Sequence, residues 1–332
     1  MVISKNLDRR LKRIRKKTPH MKYVYGWHYK YANIKKGTIL IESFHGKTIG
    51  DSGLVFAKEI ERLYPNKYKV YYATDRPEEH SKLVKELGLK VELVYIGSFK
   101  YCRILATAQF IISNASLPIY YIRKEGQKYL QTWHGTPLKT LGKEMREGVE
   151  SMYNVQHNFL QASFITFPND FTREVIMRDY NLERLYTGEV VMSGYPRNSI
   201  FLSETDFHSI RKSLGIEDKV VYAYMPTWRG KNNKDIDVTD YLNEVGRIFK
   251  ELDSVMKDEQ LMYVNFHPIL KGSMSFDEYK HILPFPTGID SYEFLNSVDA
   301  LITDYSSVFF DMVYMKNEII ESFPIEPIIN KI

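Results

Sequence analysis

The sequence predicts an α/β protein built from two Rossmann-like domains, and two observations carry that prediction. Short apolar runs alternate with segments of helical spacing, which is the pattern of parallel βαβ units. The alternation starts near residue 38, and a second series of the same kind follows residues 195–205. We therefore expect a hinge near 195–205, and two domains is also the usual number for a chain of 332 residues.

In the first domain, the predicted strands are short runs of β-branched, aliphatic and aromatic residues. They cover residues 38–42, 69–73, 91–96, 110–113, 129–133, 164–167 and 190–193. Helical spacing lies between them at 54–63 and 78–87. A further helix is expected from Asn169 and Asp170, because short polar side chains cap helix N-termini.

The second domain repeats the pattern. A helix over 206–214 ends before Gly215, and strands are expected at 220–225, 261–266 and 300–303. Helices are expected at 241–256 and from Ser306 onward. The predicted boundaries are 1–37 for a basic N-terminal arm, 38–200 for the first domain and 201–332 for the second.

The cysteine content and the lack of long apolar runs indicate the cellular compartment in which the protein is expected. Cys102 is the single cysteine, so no disulfide forms within the chain and a reducing compartment is expected. Its apolar neighbours, 101–108, predict that Cys102 is part of the core. No apolar stretch follows the charged N-terminus as in a signal peptide, and no run approaches the ~20 apolar residues of a membrane span.

Positive charge is concentrated at the N-terminus. The first forty residues hold twelve Lys or Arg and one acid, Asp8. The densest part is the segment 9–17, whose basic residues are Arg9, Arg10, Lys12, Arg13, Arg15, Lys16 and Lys17. Such a segment is attracted to an anionic leaflet by ~1 kcal/mol per basic residue, although a solvated tail remains an alternative. Nucleic-acid binding is not expected, because no fold of that class follows the segment.

The residues suited to chemistry fall just past predicted strand ends, where open α/β sheets bind ligands. The segment 132–139, TWHGTPLK, places His134 at such an end, and a neutral imidazole can take a proton near neutral pH. An ordinary turn with a surface histidine is the alternative. The neighbours that shape this turn or add polar groups are Gly135, Thr136, Pro137 and Lys139.

Four more segments of this kind follow. Arg197 lies in SGYPRN, and Thr227 and Arg229 lie in PTWRG, where guanidinium groups suit phosphate. His267 ends another predicted strand. In TDYSSVFFD the residues with expected roles are Asp304 as an orienting or capping group, Ser306 and Ser307 at a helix N-terminus that favours anions, and Asp311 for a ribose or polyol hydroxyl.

In this order, TWHGTPLK, SGYPRN, PTWR, HP and TDYSSVFFD resemble the CDP-glycerol glycerophosphotransferase family, as does ESFHGK at 42–47. The resemblance runs from about residue 38 to 312. It implies a GT-B-like fold with two Rossmann-like domains facing across a cleft. It also implies transfer of glycerol phosphate or ribitol phosphate from CDP-glycerol or CDP-ribitol to a membrane-linked acceptor hydroxyl, with release of CMP, in teichoic acid or related polymer synthesis.

The resemblance also implies roles for individual residues. His134 is the candidate base, and His267 is a phosphate-binding or acid partner. The implied donor contacts are Trp133, Gly135, Thr136, Pro137, Arg197, Thr227, Arg229, His267, Ser306, Ser307 and Asp311. No metal-ligand cluster appears in the sequence, so we expect no metal and no cofactor. The expected location is the cytoplasmic face of a bacterial membrane, without a span.

The chain departs from the family pattern at its C-terminal end, and two alternatives to the implied activity remain open. The family continues for one or two βα units after Asp311, whereas the tail from Glu321 contains Pro324 and Pro327 and does not resemble that ending. We therefore expect an incomplete second domain that lacks its last strand and its closing helices. The alternatives to the implied activity are a glycosyltransferase that uses a nucleotide sugar and a catalytically inactive remnant.

Overall fold

This computed structural model describes residues 20–145, 149–202, 204–226, 238–266, 274–304, 306–312 and 319–322. The chain divides into two compact units, Met1–Arg197 and Asn198–Ile332. The boundary predicted from the sequence lies three residues later, between 200 and 201. The assignment of the acceptor to the first domain and of the donor to the second stays a prediction.

The first unit is a seven-stranded sheet in the order β3-β2-β1-β4-β5-β6-β7, and every pair of neighbours is parallel. Its strands are β1 (Lys35–Glu42), β2 (Lys69–Thr74), β3 (Glu92–Tyr95), β4 (Ala108–Ser113), β5 (Lys128–Gln131), β6 (Phe164–Phe167) and β7 (Glu189–Met192). Its helices are α1 (Met21–Tyr31), α2 (Asp51–Leu63), α3 (Pro77–Glu86), α4 (Phe99–Thr107), α5 (Val149–Gln161) and α6 (Asp170–Asp179). The strand order reverses between β1 and β4.

Both faces of this sheet are covered, as the alternation along β1 shows. Leu40 is packed in one apolar cluster with Ile111, whereas Ile39 and Ile41 belong to a second cluster. Side chains of successive strand residues point to opposite faces, so two apolar layers flank the strand. Apolar residues on both faces explain why the parallel strands read as continuous apolar runs.

The structure corrects the extent of the basic arm. Residues 21–31 of the predicted 1–37 arm form α1, and β1 already begins at Lys35. Tyr25 is buried, and its hydroxyl donates to the Ile122 carbonyl at 2.7 Å. The predicted arm was defined by its positive charge alone. The helix was therefore missed, because its one buried residue, Tyr25, does not stand out among the charged and aromatic residues around it. Residues 1–19, including the segment 9–17, lie outside the described residues.

Cys102 is fully buried in α4, which confirms its predicted place in the core. The sequence analysis did not predict α4 or α5. Among the described residues, no helix is both long and apolar enough to cross a bilayer.

The second unit is a five-stranded parallel sheet in the order β10-β9-β8-β11-β12. Its strands are β8 (Val220–Met225), β9 (Gln260–Val264), β10 (Ile282–Pro284), β11 (Ala300–Thr303) and β12 (Ile319–Ser322). Its helices are α7 (Glu204–Leu214), α8 (Val238–Val255), α9 (Ser291–Leu295) and α10 (Val308–Met312). The two parallel sheets confirm the predicted α/β class.

A further strand, β12, follows Asp311, and the expected incompleteness of the second domain stays a prediction. β12 pairs in parallel with β11, with Ala300 opposite Ile319 and Thr303 opposite Ser322. The apolar pair Ile319 and Ile320 lies ahead of Pro324, so proline does not interrupt this strand. Residues 323–332 lie outside the described part of the chain.

Glu42, the last residue of β1, supports a prediction about stability. It is 2% exposed, and the Tyr101 hydroxyl donates to its Oε2 at 2.6 Å. Burial raises the pKa of Glu42 from 4.5 to about 7. The folded chain therefore keeps a proton that the unfolded chain releases, so this group costs stability as pH rises through that window.

We expect Glu42→Gln to be more stable than the wild type by ~3 kcal/mol near pH 8, with an advantage that shrinks toward pH 5. Urea denaturation at several pH values measures the difference. Glu125→Gln, at an exposed glutamate, is the matched control and should show no such trend. A constant difference between wild type and Glu42→Gln across this range would contradict the prediction.

Candidate functional site

Two loops meet where the strand order of the first sheet reverses. After β1, the chain forms a 3₁₀ turn at Phe44–Gly46, and after β4 it runs through Asn114 to Ser116. The Phe44 N–H donates to Asn114 Oδ1 at 2.8 Å, and His45 Nδ1 donates to the Ser116 carbonyl at 2.9 Å. In sheets of this kind, the carboxyl edge at such a reversal is where ligands bind.

His134 reaches the same place from the end of β5. Its Nδ1 lies 2.6 Å from the Asn114 carbonyl oxygen. A carbonyl oxygen only accepts, so Nδ1 carries the proton and Nε2 has a free lone pair. The imidazole packs beside Phe44, with 5.6 Å between the ring centroids. The structure thus brings together three groups of the first unit: His134, Asn114 and the turn that carries His45.

Trp133, whose backbone is in the left-handed conformation, directs His134 to this position. Trp133 has φ of 55°, and its N–H donates to Gln131 Oε1 at 3.0 Å. Such a conformation costs ~1–3 kcal/mol for a residue with a side chain, so packing has to hold it. The indole is 6% exposed and lies 5.2 Å from the Phe159 ring. The indole is therefore part of the core, and the expected donor contact of Trp133 stays a prediction.

The environment keeps His134 neutral at pH 7. Burial lowers its pKa from 6.5, and the nearby positive charges of Arg197 and His45 lower it further. The hydrogen bond to the Asn114 carbonyl and the negative charge of Asp51 act in the opposite direction but do not outweigh burial. A neutral, oriented imidazole with a free Nε2 is a general base available at neutral pH.

Arg197 forms a buried ion pair, and its expected phosphate contact stays a prediction. Its Nη1 donates to Asp51 Oδ2 at 3.0 Å, and the two side chains are 1% and 4% exposed. Asp51 itself begins α2 with φ of 58°. The guanidinium packs over the Tyr195 ring at 4.2 Å. A buried carboxylate needs a partner of opposite charge, which explains why Arg197 turns inward rather than toward open space.

The rest of the TWHGTPLK segment is less exposed than a surface turn. Gly135 and Thr136 are buried, Pro137 is half-buried and Lys139 is exposed. Lys139 is therefore the member whose charge faces solvent. Their expected donor and supporting roles stay predictions.

In the second unit, two strand ends come together at one edge. Met225 and Thr303 are register partners, and Thr303 Oγ1 donates to the Met225 carbonyl at 2.6 Å. Asp304 follows and is buried. Ser306 and Ser307 are half-buried, and α10 begins at Val308 rather than at Ser306. The Val308 N–H lies 3.5 Å from Ser306 Oγ, so capping is weak.

Asp311 is buried, and its expected contact with a ribose or polyol hydroxyl stays a prediction. It is 2% exposed, and its Oδ1 and Oδ2 accept from Asn198 Nδ2 and the Tyr292 hydroxyl, each at 2.9 Å. The carboxylate therefore joins α10 to neighbouring segments of its own unit. Thr227, Arg229 and His267 lie outside the described residues.

A cavity of about 540 Å³ opens beside the carboxyl ends of β9 and β10. Its lining includes Asn265, Phe266, Phe276, Tyr279 and Phe285. Aromatic walls with a few polar groups are typical of small-molecule sites. Within the described ranges, no three His, Cys, Asp or Glu side chains are grouped so as to hold a metal ion.

Sequence reasoning missed three residues of the first unit: His45, Asp51 and Asn114. His45 and Asn114 follow β1 and β4, the two strands that flank the reversal, and Asp51 is the first residue of α2, the helix after β1. Strand order is the signal that would have identified them, and the sequence does not supply it directly. ESFHGK contains His45, but the motif alone assigns it no role.

Comparisons with known proteins agree with this architecture. The family model described as CDP-Glycerol:Poly(glycerophosphate) glycerophosphotransferase matches residues 23–322. The teichoic acid poly(glycerol phosphate) polymerase of Staphylococcus epidermidis is 28% identical over 300 residues, covering 86% of this chain and 40% of the relative. The polymerase of the same name from Bacillus subtilis is 28% identical over 315 residues, covering 88% and 39%. The chain therefore spans about two fifths of the length of these relatives.

A solved structure is similar over nearly the whole chain. It is a histidine-to-asparagine variant of the wall teichoic acid polymerase TagF, soaked with CDPG. The TM-score is 0.77 at 26% sequence identity, covering 99% of this chain and 80% of that one. This similarity confirms the predicted GT-B-like class for the two parallel sheets.

The buried ion pair yields a prediction about stability. Arg197→Met leaves the Asp51 charge without this partner, and we expect a loss of ~3–5 kcal/mol in the free energy of unfolding. Asp51→Asn should also destabilise, and the double variant should lose less than the sum of the two. The control is Arg173→Met, which breaks an exposed pair with Asp170 and should cost ~0–1 kcal/mol. If Arg197→Met weakens donor binding while stability is unchanged, Arg197 is a ligand contact instead.

Proposed function

Because the chain belongs to the CDP-glycerol:poly(glycerophosphate) glycerophosphotransferase family, we propose that it transfers a polyol phosphate from a CDP-linked donor to an acceptor hydroxyl. The donor is CDP-glycerol or CDP-ribitol, and CMP is released. The acceptor is membrane-linked, and the product is teichoic acid or a related cell-surface polymer. The names of the two polymerase relatives favour glycerol phosphate as the transferred group.

The geometry of His134 is the observation that carries this proposal. Its Nδ1–H is held by the Asn114 carbonyl, so Nε2 can take the proton of the acceptor hydroxyl. The hydroxyl oxygen then bonds to the β-phosphorus of the donor, and the bond from that phosphorus to the bridging oxygen breaks. CMP leaves with the bridging oxygen. Phosphoryl transfer of this kind needs positioning and charge neutralisation more than covalent help.

The second unit supplies the donor contacts in this proposal. Ser306 and Ser307 offer hydroxyl groups past the end of β11, and the aromatic cavity beside β9 and β10 accommodates a base. Thr227, Arg229 and His267 are proposed to contact the diphosphate, since each follows a strand of this unit in sequence. Cationic groups there neutralise the charge that develops on the phosphate oxygens.

The lipid-linked acceptor implies a location. We place the protein on the cytoplasmic face of the membrane as a peripheral protein, drawn there by the basic segment 9–17. Seven positive charges within nine residues give a substantial, salt-sensitive attraction to an anionic leaflet.

The activity is tested by donor turnover. Purified protein is given CDP-glycerol, CDP-ribitol or a UDP-sugar with a lipid-linked acceptor, and nucleotide release is measured. CMP release supports the proposal, release of UDP supports a glycosyltransferase, and donor binding without turnover supports an inactive remnant.

We expect His134→Ala to lower the rate by ~10²–10⁴-fold at saturating donor, because the general base is lost. Since burial lowers the pKa of His134 below 6.5, the wild-type rate should fall only when pH drops through that lower value. The matched control is His208→Ala at an exposed histidine of α7, which should leave the rate unchanged. Wild-type turnover by His134→Ala would refute the base assignment.

Donor binding gives a separate prediction. Arg229→Ala should raise the dissociation constant of CDP-glycerol about tenfold or more, since a charged hydrogen bond contributes ~1.5–3 kcal/mol. Ser306→Ala should weaken binding less, because a neutral hydroxyl contributes ~1 kcal/mol. Isothermal titration calorimetry measures both values, with Ser213→Ala on α7 as the control. Unchanged affinity in both variants would remove these residues from the donor site.

A further inference from the structure

A cavity of about 650 Å³ lies open to solvent at the amino-terminal ends of three strands of the first unit. It is lined by residues 36–38, 66–70 and 90–92, where β1, β2 and β3 begin, and we name it the amino-edge groove. The turn that carries His45 follows the opposite end of β1. Since β1 extends by ~3.3 Å per residue, roughly 20 Å separates the groove from the site around His134.

The lining of the amino-edge groove is rich in lysine. Its eleven residues include Lys36, Lys67, Lys69 and Lys90, and Glu92 is the one acid among them. Four lysines and one glutamate give the lining a charge of +3, and all four lysines are exposed. Like charges close together repel, so this concentration is unfavourable for the folded chain by itself.

Two of the four lysines are held by carboxylates. Lys69 Nζ lies 2.8 Å from Glu92 Oε2, and Lys90 Nζ lies 2.5 Å from Glu61 Oε1. These pairs are exposed, so they contribute little to stability. They do, however, keep two ammonium groups at the starts of β2 and β3.

The other two, Lys36 and Lys67, have no carboxylate partner within the ranges that the structure describes. Lys67 Nζ lies over two rings, 4.8 Å from the centroid of Tyr64 and 5.4 Å from that of Tyr68. Ring faces attract an ammonium group without neutralising its charge. The groove therefore keeps positive charge that the folded chain does not compensate.

The residue types indicate that the complementary ligand is a polyanion. The lining has lysine but no arginine, the side chain that grips one phosphate through two parallel hydrogen bonds. Lysine acts as a point charge on a flexible stem. Neighbouring strands are ~4.8 Å apart, so these charges are distributed over about 10 Å across β1, β2 and β3. Such a distribution suits charges repeated along a chain better than a single phosphate ion.

A chain of polyol phosphates fits the groove better than a nucleic acid does. Single-stranded nucleic acid is held by aromatic side chains on which the bases stack. Tyr68 is the one aromatic residue of this lining, and it is half-buried, with Lys67 over its ring and Phe110 packed against it at 6.1 Å. A polyol phosphate needs no stacking platform, and the exposed amide of Asn66 suits its hydroxyl groups.

We propose that the amino-edge groove binds the anionic polyol-phosphate chain of the acceptor through Lys36 and Lys67, away from the reacting hydroxyl. The inference rests on the proposed function for the identity of the chain. It adds a second place of contact on the same acceptor. A chain long enough to reach both edges of the sheet is held at two points, which raises its effective concentration at His134, whereas a single unit reaches only one.

The decisive variant is Lys36→Gln with Lys67→Gln, which removes two charges that take part in no ion pair. The matched control is Lys85→Gln with Lys212→Gln, two exposed lysines on α3 and α7 outside the groove. Binding of lipid-free, labelled glycerol phosphate oligomers, one long and one of a single unit, is measured by fluorescence anisotropy at several salt concentrations. Circular dichroism and thermal melts verify that each variant is folded.

We expect the groove variant to weaken binding of the long oligomer about threefold to tenfold at low salt, since exposed charge pairs are individually weak. The difference should shrink as salt is added. Binding of the single unit should not change, and the control should match the wild type. In turnover, the variant should raise KM for the long acceptor and leave kcat unchanged.

Wild-type affinity for the long oligomer in the folded groove variant would overturn the proposal. So would displacement of the oligomer by inorganic phosphate at matched ionic strength, because a single anion would then suffice. A lysine-dependent preference for a single-stranded oligonucleotide, or for vesicles of phosphatidylglycerol, would assign the groove to that ligand instead.

The binding assay needs no turnover, so it separates this inference from the proposed function. Lysine-dependent binding of the long oligomer without CMP release from CDP-glycerol refutes the activity and keeps the groove. CMP release that is equally efficient with long and short acceptors, in wild type and variant alike, keeps the activity and refutes the groove.

Discussion

The arrangement of the loops around His134 in the first unit depends on Asn114. Its side-chain oxygen accepts from Phe44 N–H and its backbone oxygen accepts from His134 Nδ1, so one residue fixes the loops that follow β1 and β5. Both loops are thereby set against the end of β4, where the strand order reverses. The tautomer of His134, and hence which nitrogen has a free lone pair, follows from this one carbonyl.

Backbone strain is concentrated around the same residue. The described chain has six residues other than glycine with positive φ, and four of them are Phe44, His45, Asp51 and Trp133. Each conformation is unfavourable by itself, so the surrounding packing and hydrogen bonds must hold it. The buried Asp51–Arg197 pair and the indole of Trp133 against Phe159 provide this support. Rigid surroundings of this kind allow a histidine to be oriented before a substrate arrives.

The sequence predicted the fold better than the details of the site. Apolar runs and helical spacing located the strands β1, β2, β8 and β11 because burial in a parallel sheet imposes a local pattern. The motif around His134 was found for a similar reason, since it follows a strand. The ion pair of Arg197 and the hydrogen bond between Asn198 and Asp311 were not predicted, because their partners are far away in sequence. Local patterns identify a charged residue, but only the folded chain shows whether it faces solvent or a buried partner.

The hydrogen bonds and the ion pair that build this site determine when it can form during folding. Phe44 and Asn114 are 70 residues apart, His45 and Ser116 are 71 apart, and Asp51 and Arg197 are 146 apart. Contacts between distant residues form only after the entropy of closing long loops has been overcome. A ribosome must therefore have released nearly the whole first unit before the Asp51–Arg197 pair can close. A nascent chain that ends before Arg197 cannot contain the complete arrangement, so the site should be completed late in synthesis.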